Sequence, residues 1–387
     1  MRAPPALLAA VLLAAPAVAQ DKPAWVGVWE GRIGSYPVRA CFDTWGEDGP
    51  GRGSYYYRSR LEPLSLVEED GGRWTEHAQG SDTGATWQFT ERSADRLRGT
   101  WRQGGRSLAF ELNPVAWTEG EWGGPCGSEA YFTPRLLGPF EVRQRPGQLG
   151  DFAYEYHTLV PPEHFREDVT IETFQFTPEQ PGDPEILAAL RGRLPAGTMA
   201  DPFADCLAGA ISVHGTDGSY FEFLEPIMAA PAFLGVRESS ETYCGGAHPN
   251  AYYTFLTFDR QSGAAVELFD WLSDEAREHH TSSVAGEDYF TVRPPLRALI
   301  VAREPIDEPE AVESGVSAYH AECGDVIADQ EFWSLGLDRD GLLFVPNVPH
   351  VAGPCRATFL VPWDELEPFL SDEGRAGRTR LRRYAPP

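Results

Sequence analysis

The sequence predicts a two-domain protein: an all-β antiparallel meander or small barrel, followed by an α+β domain with a mixed or antiparallel sheet. Two observations lead to this prediction. Short aromatic runs separated by glycine turns fill residues 24–126, and eight of the eleven tryptophans lie before residue 123. Helical spacing of apolar residues first appears near Asp183, between further strand-like runs. The 387 residues are enough for two cores.

The N-terminus is typical of a secretory signal peptide. Arg2 precedes a short apolar run over residues 6–15, and Ala17-Val18-Ala19 is an A-x-A cleavage pattern. We therefore predict a signal peptide over residues 1–19 and an exported protein, either periplasmic or extracellular. The apolar run is shorter than the about 20 residues that span a bilayer, and no later stretch is long and apolar enough, so no transmembrane segment is expected.

Residues 24–126 are predicted to form the aromatic all-β domain. Gly71-Gly72 and Gly104-Gly105 separate strand-like runs as hairpin turns do. Most of the tryptophans and tyrosines are expected to fill the core of a small barrel, whereas Trp117 and Trp122 follow the last strand and are expected to be exposed. The domain resembles no named family beyond a lipocalin-like look.

The rest of the chain is divided by composition. Residues 127–150 are rich in Pro and Gly and are predicted to be a linker, and residues 151–372 are predicted to form the α+β domain. Asp183 and Pro184 open a predicted helix there, because Asp caps helices and Pro fits their first turn. Residues 373–387 are rich in Arg with little apolar content, and we predict a disordered tail, either loose in solvent, against the acidic body or on an anionic surface.

The six cysteines, an even number in an exported chain, favour disulfide bonds. Sequence alone allows about 15 pairings. We predict the pairs that follow chain order, Cys41–Cys126, Cys206–Cys244 and Cys323–Cys355. No two cysteines have the C-x-x-C spacing of structural zinc sites, so no metal site is predicted.

The charge pattern excludes one class of partner and favours another. The chain holds 58 acidic and 32 basic residues, a formal charge of −26. Such a body repels phosphate backbones, so no nucleic-acid partner is expected. It attracts a cationic partner, although solubility outside the cell explains the same charge.

The stretch YCGGAHPN, residues 243–250, is the most unusual local motif. One interpretation is a binding site in which His248 hydrogen-bonds a ligand beside Asn250 and Tyr243. The other is a backbone corner at a strand entry, with both glycines at positive φ and the imidazole bonded to the backbone. We favour the corner. The candidate binding residues are Tyr243, Gly245, Gly246, His248 and Asn250.

Residues 150–372 resemble the extracytoplasmic domain shared by RsiV-type anti-sigma factors and the N-terminal part of PdaC-type peptidoglycan deacetylases. The resemblance rests on the Gly-Gly-Ala-His-Pro corner, on Phe258-Asp259 with a turn at Gly263, and on VPWDEL near the end. It implies a binding module, which in the anti-sigma factors binds lysozyme outside the cell. The deacetylase catalytic domain and the anti-sigma membrane helix find no counterpart in the sequence, so neither parent activity is expected to transfer.

No catalytic residue, cofactor or metal is predicted. The sequence has no G-x-S-x-G elbow and no H-E-x-x-H zinc motif, and Glu222 and Glu225, on or beside a strand, are interpreted as solvated. We therefore expect a non-catalytic envelope protein that binds a lysozyme-like cationic protein or a peptidoglycan fragment. The alternative is an envelope glycan hydrolase or deacetylase whose carboxylate site carries no recognisable motif.

Overall fold

The two-domain fold class is confirmed. The computed structural model describes residues 22–46, 49–69, 72–136, 140–282, 286, 288–307 and 316–383. A closed antiparallel barrel is followed by a second domain with a mixed sheet and several helices. The predicted signal peptide, residues 1–19, lies outside the described residues.

Eight strands form the barrel. They are β1 (Gly27–Ile33), β2 (Tyr36–Thr44), β3 (Gly51–Tyr57), β4 (Leu64–Glu68), β5 (Arg73–Ala78), β6 (Ser81–Arg92), β7 (Leu97–Gln103) and β8 (Arg106–Val115). Each strand pairs antiparallel with the next, and β8 pairs back onto β1 with Leu112 opposite Gly31. This closure leaves the barrel without a free edge.

Aromatic side chains fill the barrel interior. Trp29, Phe42, Tyr55, Trp74 and Trp87 are all at most 2% exposed. Alternate residues of a strand point to opposite faces, and an eight-stranded barrel is just wide enough for side chains to fill it. The predicted core role of these aromatic residues is confirmed.

A six-stranded sheet organises the second domain. Its elements are α1 (Glu129–Phe132), β9 (Glu141–Leu149), β10 (Phe152–Val160), β11 (Val169–Phe176), α2 (Asp183–Arg191), α3 (Pro202–His214), β12 (Ser219–Ala229), β13 (Phe233–Tyr243) and β14 (Asn250–Asp259). The strand order is β14-β13-β12-β11-β10-β9, and β11 and β12 are the parallel pair. Helices α2 and α3 connect these two strands, as a crossover between parallel strands requires.

The C-terminal part packs a smaller layer against this sheet. It contains β15 (Arg277–Thr281), β16 (Asp288–Val292), α4 (Pro294–Val301), α5 (Val316–Ala328), β17 (Trp333–Leu337), β18 (Gly341–Pro346), β19 (Phe359–Pro362), α6 (Trp363–Leu366) and α7 (Asp372–Arg383). One apolar core joins Phe233 at the end of the large sheet to Trp271, Trp333 and Trp363. The two layers therefore fold as a unit.

All three predicted disulfides are confirmed. Cys41 in β2 is bonded to Cys126, Cys206 in α3 to Cys244, and Cys323 in α5 to Cys355, with no free cysteine among the described residues. The first ties the barrel to the segment that enters the second domain. Each bridge closes a long loop, which typically contributes about 2–4 kcal/mol to the free energy of unfolding.

The predicted linker over residues 127–150 is wrong. Helix α1, a 3-10 helix at Thr133–Arg135 and the whole of β9 occupy this segment. Pro134 lies in the first turn of the 3-10 helix, and Pro146 lies in β9, an edge strand that tolerates a missing N–H. Gly147 lies flat against the ring of Tyr154, where a Cβ would clash. The Pro and Gly content therefore reflects packing.

The predicted disordered tail is also wrong over residues 373–383, and its last residues, 384–387, lie outside the described residues. Helix α7 runs to Arg383, and its arginines face acidic residues of the domain. Arg380 donates to Asp259 over 2.8 Å, Arg378 donates to Asp364 over 2.7 Å, and Arg375 donates to Glu367 over 3.0 Å. The composition of this segment indicated disorder because it does not reveal the acidic residues that pair with the arginines, which lie elsewhere in the chain.

Gly377 is the point at which α7 contacts the core. A Cβ on Gly377 would overlap the buried ring of Trp271, whereas one on Gly324, in α5, would meet no atom within 4 Å. Gly377→Ala is expected to lower the free energy of unfolding by about 1–3 kcal/mol because of overpacking. Gly324→Ala is the matched control and is expected to be neutral or slightly stabilising, because Ala is the better helix former. Equal effects on chemical denaturation would contradict the packing of α7.

Candidate functional site

The barrel and the second domain meet at the C-terminal end of α3. Gly215 ends the helix with φ +74°, and the hydroxyl of Ser54 in β3 donates to its carbonyl oxygen over 2.6 Å. A Cβ on Gly215 would lie 2.7 Å from the carbonyl oxygen of Gly53 and from the side chain of Ser65. Only glycine therefore allows both the left-handed turn and this close approach.

Two cavities flank this contact along β4. The first, which we call the acidic cavity, has a volume of about 660 Å³ and is lined by Leu64, Thr216 and Asp217 among others. The second, which we call the aromatic cavity, has a volume of about 230 Å³ and is lined by Leu66 and Gly215 among others. Both are built from barrel and second-domain residues, so the junction creates them.

Five carboxylates line the acidic cavity: Glu62, Glu163, Glu167, Asp168 and Asp217. Arg166 lines it too, and Arg135 lies behind its wall, so five negative and two positive charges leave a net charge of −3. Burial lowers the pKa of His164, and its Nε2 lies 2.7 Å from the carbonyl oxygen of Arg135. The imidazole is therefore neutral at physiological pH, and Nε2 carries the proton.

Arg135 holds the wall of the acidic cavity together. Its side chain is fully buried, with Nη1 and Nη2 donating to the two carboxylate oxygens of Asp217 over 2.7 and 2.5 Å. Its Nε donates to the carbonyl oxygen of Leu61 in the barrel over 2.8 Å. The guanidinium lies about 5 Å from the ring centres of Phe132 (5.0 Å) and Phe165 (4.9 Å). One side chain thus joins the barrel, the segment before β9 and the turn after α3.

The environment of Asp168 in the acidic cavity disfavours the ionised form of its carboxyl group. Burial raises its pKa to about 6, and the negative charges of Asp217, Glu167 and Glu62 add to the shift, whereas Arg135 opposes it. A carboxyl group in this position therefore keeps its proton to a higher pH than an ordinary aspartic acid does. A positive charge placed in the acidic cavity would oppose that shift.

The aromatic cavity has a different chemistry. Trp45 is 57% exposed at its rim, and the guanidinium of Arg52 lies over the indole ring, 5.0 Å from its centre. Leu66, Val67 and Ile211 supply apolar walls. The Cys41–Cys126 disulfide lies at the same junction, because Cys126 lines the cavity.

The predicted binding corner lies on the surface next to α3. Gly245 adopts φ +95° and a Cβ there would lie 2.9 Å from the carbonyl oxygen of Gly209, so the corner is fixed by this glycine and by the Cys206–Cys244 bond. Gly246, His248 and Asn250 are exposed. The imidazole of His248 stacks on that of His350 at 4.3 Å, and its Nδ1 lies 2.9 Å from the carbonyl oxygen of Pro249.

Tyr243, one of the five corner residues, contacts a residue that lines the aromatic cavity. The hydroxyl of Tyr243 lies 2.7 Å from Nε2 of His214, and the two rings stack at 5.5 Å. His214 lines the aromatic cavity. A binding role for Tyr243, Gly245, Gly246, His248 and Asn250 stays a prediction.

The interpretation of Glu222 as solvated is wrong. Glu222 is 6% exposed, as is Glu238 in the neighbouring strand, and both share Arg193. Tyr220 donates to Glu222 over 2.6 Å. Glu225 is partly buried and pairs with Arg237 at 2.8 Å. Alternation along β12 places Tyr220, Glu222 and Leu224 on one face, which helices α2 and α3 cover, so the helices and not the local sequence bury Glu222.

Sequence reasoning missed both cavities. The five carboxylates come from the turn after β3, the segment 163–168 and the turn after α3, and no spacing rule joins them. Trp45 was not singled out, although it is more exposed than Trp122, which is exposed as predicted at 40%. Its position just after β2, next to Gly46, was the available signal.

No family profile matches the chain, and no curated protein matches it. Similar solved structures include a DUF3298 family protein from Pseudomonas aeruginosa PAO1 and a DUF3298 family member from Bacteroides fragilis NCTC 9343, at 14% and 16% identity. They cover 61% and 62% of this chain and 97% of their own, each with a TM-score of 0.33.

Over the described residues, no helix has both the length and the apolar character needed to cross a bilayer.

Asp168→Asn is expected to stabilise the protein at neutral pH. Because the folded-state pKa of about 6 exceeds the ordinary value of 3.8, the folded state binds the proton more tightly, and the free energy of unfolding falls as pH rises from about 4 to about 6. The substitution removes this fall. We expect a gain of about 1 kcal/mol at pH 7, since water screens the half-buried group, and no gain below pH 4.

Glu163→Gln is the control for this measurement, because Glu163 lines the same cavity but is exposed. Urea denaturation at pH 3.5, 5 and 7 should show little change for this variant. A neutral or destabilising Asp168→Asn at pH 7 would show that Asp168 is not under electrostatic strain.

Proposed function

We propose that the chain is an exported, non-catalytic binding protein whose acidic cavity receives a cationic side chain of a basic partner protein of the lysozyme kind. The observation that carries the proposal is the acidic cavity itself, with five carboxylates and a net charge of −3 around about 660 Å³. This volume suits an organic side chain, since ligand pockets typically have about 300–1,000 Å³.

The strain on Asp168 supports a binding role. Gathering carboxylates in a partly desolvated cavity lowers folding stability, and such clusters are characteristic of functional sites. A Lys or Arg side chain entering the cavity would form charge-assisted hydrogen bonds with the carboxylates. It would also lower the pKa of Asp168. The attraction between the cation and the carboxylates would then offset the folding stability that the free protein loses by gathering them.

The net charge, the rigid junction and the disulfides also support a cationic partner. A net charge of −26 draws a basic protein towards the surface and accelerates its association. Rigid walls then matter for affinity, and Arg135, Gly215 and the Cys41–Cys126 bond supply them. Three disulfides fit an oxidising compartment outside the cytoplasm.

Titration calorimetry with lysozyme as the basic probe tests the proposal. The oxidised protein is expected to bind at about 150 mM salt, and the double variant Glu167→Gln/Asp168→Asn is expected to bind about tenfold more weakly or worse, because two charge-assisted contacts are lost. The same variant should be at least as stable as the parent chain. Loss of binding without loss of stability separates a binding role from a folding role.

Glu141→Gln/Glu155→Gln is the matched control. Both residues are exposed on β9 and β10, outside the acidic cavity, and the variant removes the same net charge. It should weaken binding less than threefold, roughly the effect of long-range attraction that salt screens. Equal losses in the two double variants, or no binding by the parent chain, would refute the acidic cavity as the lysozyme site.

A glycan hydrolase is the second candidate, and one observation favours it. Asp168, with a pKa of about 6, lines one cavity with Asp217, which accepts two hydrogen bonds from Arg135. A carboxylic acid beside a carboxylate is the arrangement that glycoside hydrolysis uses. Release of reducing sugars from purified peptidoglycan by the parent chain, abolished in Asp168→Asn, would support this candidate; no release at pH 5 would exclude it.

A further inference from the structure

We propose that the aromatic cavity is a second ligand site, which binds a small carboxylate attached to a ring or another compact apolar body. The carboxylate would meet Arg52, and the apolar body would lie against Trp45. This site is separate from the acidic cavity and does not rest on the function proposed above.

Arg52 has unused hydrogen-bonding capacity at this cavity. A guanidinium carries five N–H donors. Nη1 donates to the carbonyl oxygen of Val213 over 3.2 Å, whereas Nη2 lies 3.7 Å from Asp43, beyond hydrogen-bonding distance. Nε is buried and has no hydrogen-bond partner in the described part of the chain. Because Nε is closed off from solvent, Nη2 is the open edge of the guanidinium that a carboxylate can reach, through a charge-assisted hydrogen bond.

Asp43 leaves this edge available. It is 8% exposed and accepts a hydrogen bond from the backbone N–H of Thr44 through Oδ1. Its other oxygen, Oδ2, is the one that lies 3.7 Å from Arg52, so the pair is held without direct contact. An incoming carboxylate could therefore bond to Arg52 without first breaking a short ion pair.

Trp45 supplies a stacking surface beside that edge. The guanidinium of Arg52 covers part of the indole, yet the residue remains 57% exposed. Val67, 44% exposed, and Pro50 continue the apolar rim. A cavity of about 230 Å³ has room for a single ring-sized group, since it equals the volume of roughly eight water molecules.

The polar groups on the far wall add hydrogen bonds. His214 and Ser212 line the cavity; the Ser212 hydroxyl donates to the carbonyl oxygens of Trp122 and Gly123 and is left as an acceptor, and the Tyr243 hydroxyl contacts Nε2 of His214. The remaining imidazole nitrogen, Nδ1, carries the opposite donor or acceptor role to Nε2. A ring with hydroxyl or amide substituents satisfies such groups, whereas a plain hydrocarbon does not.

Two sources share this chemistry: an acidic sugar and a peptide with a free C-terminus. N-acetylmuramic acid represents the first, and N-acetylglucosamine is its matched control because it lacks the lactyl carboxylate. Acetyl-D-alanyl-D-alanine represents the second. Calorimetry with the oxidised full chain measures affinity, and the indole N–H signal of Trp45, assigned with Trp45→Phe, reports the location.

At least one carboxylate probe is expected to bind with a dissociation constant of about 10⁻⁵–10⁻³ M and to shift the Trp45 signal. Arg52→Gln should weaken this binding about tenfold or more, and N-acetylglucosamine should bind at least about tenfold more weakly than N-acetylmuramic acid. Trp122→Ala should leave binding unchanged, because Trp122 is the other exposed tryptophan of this region and bonds to Asp205 instead. Binding of the peptide alone would identify the peptide as the source.

Arg52→Gln also removes the hydrogen bond to Val213 at the junction, so it affects folding as well as binding. Val67→Glu is a second variant that tests binding and leaves this hydrogen bond in place. Val67 is exposed at the rim, so a carboxylate there should repel the ligand while the melting temperature is maintained. Three results would overturn the proposal: no binding of any probe, measurable binding of both sugars with equal affinity, or unchanged affinity in both Arg52→Gln and Val67→Glu.

Discussion

The ion pair between Arg135 and Asp217 is the interaction on which the junction depends. Arg135 is fully buried and bridges Leu61 of the barrel, Asp217 after α3 and, through its carbonyl oxygen, His164. Removing one partner of such a pair typically costs about 3–5 kcal/mol, because the other charge stays buried without compensation. With this pair in place, Gly215 closes against Ser54, and the two cavities form on either side of that contact.

The junction separates two electrostatic environments that lie close together. In the acidic cavity, burial and the neighbouring carboxylates raise the pKa of Asp168, which a nearby cation would counteract. In the aromatic cavity, Arg52 keeps donors that the described residues leave unpaired, an arrangement that suits an anion. In each cavity, a charged side chain is only partly compensated by the described residues around it. This partial compensation is what distinguishes them from the Asp183–Arg260 pair, where each partner of a buried bidentate ion pair satisfies the other.

Local sequence patterns predicted the features that short-range interactions determine. Aromatic alternation gave the filled barrel, Asp183 and Pro184 marked the start of α2, and an even cysteine count in chain order gave the right disulfides. Composition failed where distant charges decide the structure: the partner of Arg380 lies 121 residues earlier, and α7 was therefore predicted to be disordered. The acidic cavity was invisible for the same reason, since in a chain with 58 acidic residues only the fold selects which carboxylates converge.

In the free protein Asp168 has a raised pKa, and the proposed function requires that a bound cation lowers it. The most direct measurement is an NMR titration in which the chemical shift of the Asp168 carboxyl carbon reports the pKa of the carboxyl group. The signal is assigned through Asp168→Asn, and the titration is run on the free protein and with saturating lysozyme. We predict a pKa of about 6 in the free protein and a value near or below the ordinary 3.8 in the complex. An ordinary pKa in the free protein, or an unchanged pKa in the complex, would contradict the account.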